Sequence, residues 1–168
     1  MIKGNQDVDG VTLVAQSRAA RATIDQTSKA IIAQLQQDGR RPYADIAASL
    51  GLSEDAVRRR VDHLVEAGFM QITAVTDPLQ LGFARQAVLG ITVTGDVKTL
   101  ALALAAMEEV VYVVHTAGGF DLMAEVVGES DAHLLEVTAR IRPLPGVTSI
   151  QTFLYLELVK QVYTWGVR

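Results

Sequence analysis

Apolar residues in this chain recur first at helical and then at strand spacing, and the change falls near residue 70. Ile31, Ile32 and Leu35 share one helix face. The segment starting at Asp25 stops at Gln37-Asp38-Gly39, where the glycine is placed to take a left-handed cap. Pro42 suits a first helical turn, Ile46, Ala47 and Leu50 form an apolar stripe, and Gly51 ends a short second helix. Only Gly51-Leu52-Ser53 separates it from a third helix. There Ser53 is a good N-cap and Glu54 and Asp55 suit the positive end of the helix dipole. Val57, Val61, Leu64 and Val65 mark a buried face running to Gly68. Two helices joined by a three-residue turn containing glycine predict a helix-turn-helix, of winged-helix-like kind.

After Gly68 a β-prone stretch, 72–76, leads to the strand-breaking pair Asp77-Pro78. Strands are then predicted near 86–93, 110–116, 120–127 and 147–158, with helices near 97–107 and 131–141, and Pro143, Pro145 and Gly146 ending the second helix. The order βαββαβ is the ferredoxin-like split. The predicted fold class is therefore α+β: a helix-turn-helix domain (24–70), a β hinge (71–82) and a ferredoxin-like domain (83–168), with residues 1–23 as a mobile tail. Two helices cover only one face of a four-stranded sheet. The run Val110–Val114 is nonetheless apolar on both faces, and the last strand sets Phe153 and Tyr155 opposite Ile150, Thr152, Leu154 and Leu156. Val111, Val113, Phe153 and Tyr155 are thus predicted to line an oligomer interface.

Composition narrows the class. With 49% apolar and 20% charged residues in a chain of 168, the protein can build real cores. Its apolar runs fall far short of the roughly 18 residues of a membrane span. The absence of cysteine excludes disulfides, thiolate metal sites and cysteine nucleophiles. Lys3, Asp7 and Asp9 with no apolar core do not read as a secretory leader, so the cytoplasm is the expected location. The net charge of −4 argues at first against nucleic acid, but it is unevenly spread. Residues 18–70 hold eight Lys or Arg against seven Asp or Glu, while from residue 71 six basic face ten acidic ones. Any DNA contact belongs to the first half, where two of the eight basic residues, Arg18 and Arg21, lie in the tail.

At about 100° per residue, with Val57, Val61, Leu64 and Val65 inward, Arg59 points almost directly out near Asp55, Asp62 and His63. Arg58 and Arg60 lie on the flanks, where a helix in the major groove meets phosphate, while the planar fork of Arg59 suits a guanine edge. Ser53 and the free amides of the first turn suit a phosphate. The predicted DNA contacts are Arg40, Arg41, Ser53, Arg58, Arg59, Arg60 and His63. The competing reading is a solvated face on which the arginines pair with Asp62, Asp55 and Glu54. His63, His115 and His133 show no ligand-like spacing, so no metal is expected. No nucleophile elbow or phosphate loop is visible, and Glu108-Glu109 reads as an exposed helix end, so neither an enzyme nor a cofactor is expected.

Several short stretches point further. They are Asp38-Gly39-Arg40-Arg41, Asp45-Ile46-Ala47, Leu50-Gly51-Leu52-Ser53, Val57-Arg58-Arg59-Arg60-Val61, Leu64 with Gly68, Asp77-Pro78 with Leu81-Gly82, Gly118-Gly119-Phe120-Asp121 and Pro145-Gly146-Val147. Together, in this order and spacing, they resemble the leucine-responsive and asparagine-responsive (Lrp/AsnC) regulators, also called feast/famine proteins. The resemblance runs from about Ile24 to Trp165. The chain departs from the family pattern at Glu54-Asp55, where relatives often carry small hydroxyl residues, and at Ala117 and Ile150, where threonine is usual.

The resemblance implies a transcription regulator that binds double-stranded DNA, with a regulatory domain that forms dimers and often octamers. It also implies amino-acid effectors bound at interfaces near the loop between the second and third strands, here Ala117, Gly118, Gly119, Phe120 and Asp121. Read from the residues alone, Gly118-Gly119 gives a backbone that a ligand can approach and Asp121 suits an ammonium group. A tight hairpin turn whose aspartate satisfies local amides is the alternative. Siroheme decarboxylases resemble the same architecture but need clustered His and Arg, and Arg85, Lys98, Arg140, Arg142, Lys160 and Arg168 form no such cluster in the sequence. A metabolite-binding module without DNA affinity is the remaining alternative, motivated by the acidic balance and Glu54-Asp55.

Overall fold

The computed structural model describes residues 24–162 and 166–167, so the predicted tail, with Arg18 and Arg21, lies outside the described residues. The described residues up to Ala74 together with those from Gln161 onward form one compact unit, and Val75–Lys160 forms another.

The first unit holds α1 (Gln26–Gln37), α2 (Tyr43–Leu50) and α3 (Glu54–Glu66). The starts of α1 and α3 have a local cause. The Asp25 carboxylate accepts from the Ser28 amide at 2.7 Å, and the Ser53 hydroxyl accepts from the Ala56 amide at 3.2 Å. Gly51 ends α2 at φ +67°, which lets the Leu52 amide reach back to the Ala47 carbonyl at 2.9 Å. Ile31, Leu35, Ile46, Ala47, Val57 and Val61 close the core among the three helices. Two expectations are corrected. Gly39 takes no left-handed cap, because α1 ends with Asp38 in extended backbone and the Asp38 carboxylate turns the chain by accepting from the Arg40 amide at 2.9 Å. Val65 is 44% exposed rather than buried, since it sits about 70° from the centre of the Val57, Val61, Leu64 stripe.

In the second unit a short 3-10 turn (Pro78–Gln80) precedes β1 (Arg85–Val93), α4 (Val97–Ala105), β2 (Val110–His115), β3 (Leu122–Gly128), α5 (Asp131–Ile141) and β4 (Val147–Leu154). The sheet runs β2-β3-β1-β4 with every pair antiparallel, the ferredoxin-like order. Leu100 and Leu104 of α4 and Leu134, Val137 and Ile141 of α5 pack on one sheet face, against Ala87, Leu89, Ile91, Leu122, Ala124 and Val126. Register sends Val88, Gly90, Met123, Glu125, Gln151 and Phe153 to the other face.

Three departures from the expected strands have physical reasons. Residues 72–76 form no strand, because a strand needs a partner ladder and this segment pairs with none among the described residues. The last strand stops at Leu154 instead of continuing to 158: β4 pairs only with β1, and β1 begins at Arg85, so the ladder runs out after the Tyr155 amide meets the Gln86 carbonyl. In β2, two residues oppose one at Val110–Tyr112, since Val110 faces Val126 and Tyr112 faces Glu125. The extra residue, Val111, shifts the alternation. Val113 therefore packs into the helix-covered core, while Tyr112 and Val114 join the open face.

Candidate functional site

The arginine triplet on α3 meets three different environments. Arg58 donates to Glu54 at 2.7 Å, one helical turn earlier, and its guanidinium lies over the Tyr43 ring at 5.4 Å from the centroid. Arg60 donates to Asp25 at 2.7 Å and to the Ser28 hydroxyl at 3.2 Å, so it clamps α3 to the start of α1. It lies about as far from the stripe centre as Val65 but on the opposite flank, where the start of α1 meets it. Arg59 is exposed and makes no ion pair among the described residues. Asp55 and Asp62, the partners expected under the solvated reading, are not used; only Glu54 is. Arg59, Arg60 and His63 line a shallow cleft with Ser28 and Ala56. Ser53 is exposed with its hydroxyl oxygen already accepting from Ala56. Arg40 is exposed and Arg41 half-buried in the turn before α2. The sequence reading missed Tyr43 and the Asp25–Ser28 clamp; an aspartate N-cap facing an arginine on the flank of α3 was the available signal.

The clamp sets a pH dependence. The Ser28 amide first, and then the Arg60 guanidinium, hold the Asp25 carboxyl at about 2, below its ordinary 3.8. A lowered folded value means stabilisation that is fully present above 3.8 and lost as pH falls through about 2. Far-UV circular dichroism of the wild type should show helix lost in that window. Asp25→Asn, which keeps the cap but not the titration, should show a smaller change there. An identical acid limb in both proteins would contradict the assignment.

The loop after β2 is held at its base. The Thr116 amide donates to the Asp121 carbonyl at 3.0 Å, the Thr116 hydroxyl to the Phe120 carbonyl at 2.6 Å, and the Asp121 amide to the Ile91 carbonyl at 3.0 Å. The Asp121 carboxylate accepts from the Val93 amide at 2.7 Å, so one of its oxygens has the local structural role that the turn reading allowed. Ala117, Gly118 and Gly119 form an exposed tip, with open space around both glycines. Phe120 turns away from the tip onto the open sheet face. There its ring lies where a Cβ on Gly90 would come within 2.7 Å, and it meets Phe153 edge-on at 5.9 Å and 74°. Gly90 also escaped the sequence reading, although a lone glycine inside a strand signals close approach.

Of the four residues expected to line an interface, Phe153 is exposed on the open face and Tyr155 half-buried, where burial and then the nearby Glu125 raise its phenol. Val111 is exposed at the bulge and Val113 belongs to the core. Glu109 is corrected as well. Only 16% of its side chain is exposed, and it is paired with Arg140 and contacts His133 at 3.5 Å. Burial opposes its charge, but its own backbone amide, Arg140 and His133 outweigh that and hold the carboxyl below its ordinary value. Among the described residues no cluster of His, Asp or Glu is arranged to hold a metal ion, and no helix is long and apolar enough to cross a membrane.

Residues 24–65 match the AsnC-type helix-turn-helix domain, and residues 86–165 match the Lrp/AsnC ligand binding domain. The chain belongs to the Lrp/AsnC family. It is a helix-turn-helix transcriptional regulator with a ligand-binding domain. Among Lrp/AsnC relatives, the HTH-type transcriptional regulator FL11 of Pyrococcus horikoshii is 31% identical over 143 residues, covering 84% of this chain and 95% of the relative. The solved leucine response regulatory protein (LrpA) of Mycobacterium tuberculosis superposes with a TM-score of 0.76 at 26% identity, over 82% of this chain and 96% of that one. A Neisseria meningitidis transcriptional regulator solved as a complex with L-Met shares the fold, with a TM-score of 0.72 at 22% identity over 84% of this chain and 95% of that one.

Proposed function

We propose that this regulator reads operator DNA in the cytoplasm with α3 and that an amino acid at the 117–121 loop modulates its assembly as at least a dimer. The observation that carries the DNA reading is Arg59: exposed, without an ion pair among the described residues, and opposite the buried stripe of a helix that follows a three-residue turn. Arg58 and Ser53 flank it as phosphate contacts, with Arg40, Arg41 and His63 as outlying ones. Arg60 supports the helix rather than the DNA. An amino acid needs an acceptor for its ammonium, which the second oxygen of Asp121 supplies, and donors for its carboxylate, which the exposed amides of Gly118 and Gly119 supply. The Neisseria relative, bound to L-Met, supports an amino acid as the ligand class. A second copy of the chain suits the open sheet face, whose Tyr112 and Phe153 stand 55% and 46% exposed.

Quantitative mobility shifts on the chain's own upstream region test the DNA reading. Arg59→Ala is expected to relax discrimination by about 1–3 kcal/mol at one base pair. Arg58→Ala should weaken all sequences alike and flatten the salt dependence. Arg60→Ala should appear as lost helix stability. Equal, salt-independent binding by the wild type and an Arg58→Ala/Arg59→Ala double variant would overturn the DNA reading of α3.

A further inference from the structure

We propose that Phe120 is a positioning residue that couples the 117–121 loop to the open sheet face, so that the state of the loop is expressed on the surface that meets a second copy. The proposal rests on the reading of that face as an interface and of the loop as an effector site. Its physical basis is the seat beneath the ring. Gly90 lies in the middle of β1, buried, between Met123 of β3 and Gln151 of β4. A mid-strand glycine weakens a strand, because it loses more entropy on folding and packs no side chain. Here its missing side chain is the space the ring occupies, since a Cβ would come 2.7–2.8 Å from three ring atoms. The ring continues edge-on into Phe153 of β4, so one loop residue spans from the β1 surface to the edge strand.

The backbone on either side of Phe120 is fixed by bonds that leave little independent play. Its carbonyl accepts from the Thr116 hydroxyl, and the next residue bonds both Ile91 and Val93 of β1. A ligand that draws on Asp121 or on the glycine amides therefore shifts the ring across Gly90 and Phe153. Packed aromatic contacts answer such shifts by switching between discrete arrangements. Coupling is reciprocal: what the loop does to the face, assembly at the face must do to the loop. The second copy is thus a sufficient probe.

Hydrogen exchange at the Thr116 and Asp121 amides, measured on the full chain across a concentration series beside sedimentation velocity, tests this. In the wild type, assembly is expected to slow exchange at these two amides about tenfold, within the roughly 5- to 150-fold span of coupled sites. Phe120→Ala removes the ring. Gly90→Ala evicts it while leaving the loop sequence intact, so the two variants report on the same contact from opposite sides. With folding checked by circular dichroism and the comparison made at matched fraction assembled, either variant should show less than about a twofold change. Wild-type coupling retained in both folded variants would overturn the proposal, as would a wild type that assembles with no change in exchange. A wild type that stays monomeric at every concentration would overturn the interface reading together with the coupling.

Discussion

Asp121→Asn is expected to leave the second unit close to wild-type stability while weakening amino-acid binding by about 1.5–3 kcal/mol, the usual worth of a charge-assisted bond. The two roles separate because they use different properties of one side chain. Pinning the Val93 amide at 2.7 Å needs only an acceptor oxygen, which asparagine retains. Holding a ligand ammonium needs the negative charge, which asparagine lacks. Asp121→Ala should lose both, because it also strands the Val93 amide in a partly buried setting at a cost of about 1–3 kcal/mol. Calorimetry against each of the twenty amino acids reads the first quantity and urea denaturation the second. No heat with the wild type, or the same affinity in Asp121→Asn, would remove the site and leave the regulator assignment standing.

Gly146→Ala is expected to destabilise the second unit by about 2–4 kcal/mol, combining backbone strain with a clash. Gly146 stands at φ +90°, its carbonyl accepts from the Thr94 amide at 2.8 Å, and a Cβ there would come 2.7 Å from the Thr94 carbonyl oxygen. That oxygen is backbone at the end of β1, so relief requires moving the β1–β4 pairing itself. Gly51 is the control. It stands at φ +67° with nothing within 4 Å of a new Cβ, so Gly51→Ala should cost its own unit only about 1–2 kcal/mol. Hydrogen exchange at β1 and β4 amides follows the second unit and at α2 and α3 amides the first. Equal losses at the two glycines would show that the contact with Thr94 is soft.

The elements that were legible in the sequence are those fixed by local chemistry. Ser53 and Gly51 bound the turn before α3 as their residue types dictate, and the βαββαβ order follows from alternating periods. What was not legible depends on partners distant in sequence. Strand β4 stops at Leu154 because β1 is short at the other end, which no property of residues 155–158 reveals. Arg58, Arg59 and Arg60 are identical as letters, yet one stacks on Tyr43, one stands free of ion pairs among the described residues, and one is clamped to Asp25, thirty-five positions away. In the loop, Gly118-Gly119 marks the tip by residue type alone. The residue that ties loop to sheet, Phe120, needed Gly90 to be seen beneath it.

The bulge in β2 also bears on how this gene can change length. Because Val111 is the supernumerary residue, losing its codon would restore plain alternation, with Val110 and Val113 still facing the helices and Tyr112 still facing outward. Losing codon 112 has the same effect, with Val111 in the outward place, whereas losing codon 113 or 114 would leave the strand one residue out of phase or short of its ladder. Within β2, positions 111 and 112 are thus where a lineage can shorten the strand without turning its core inside out.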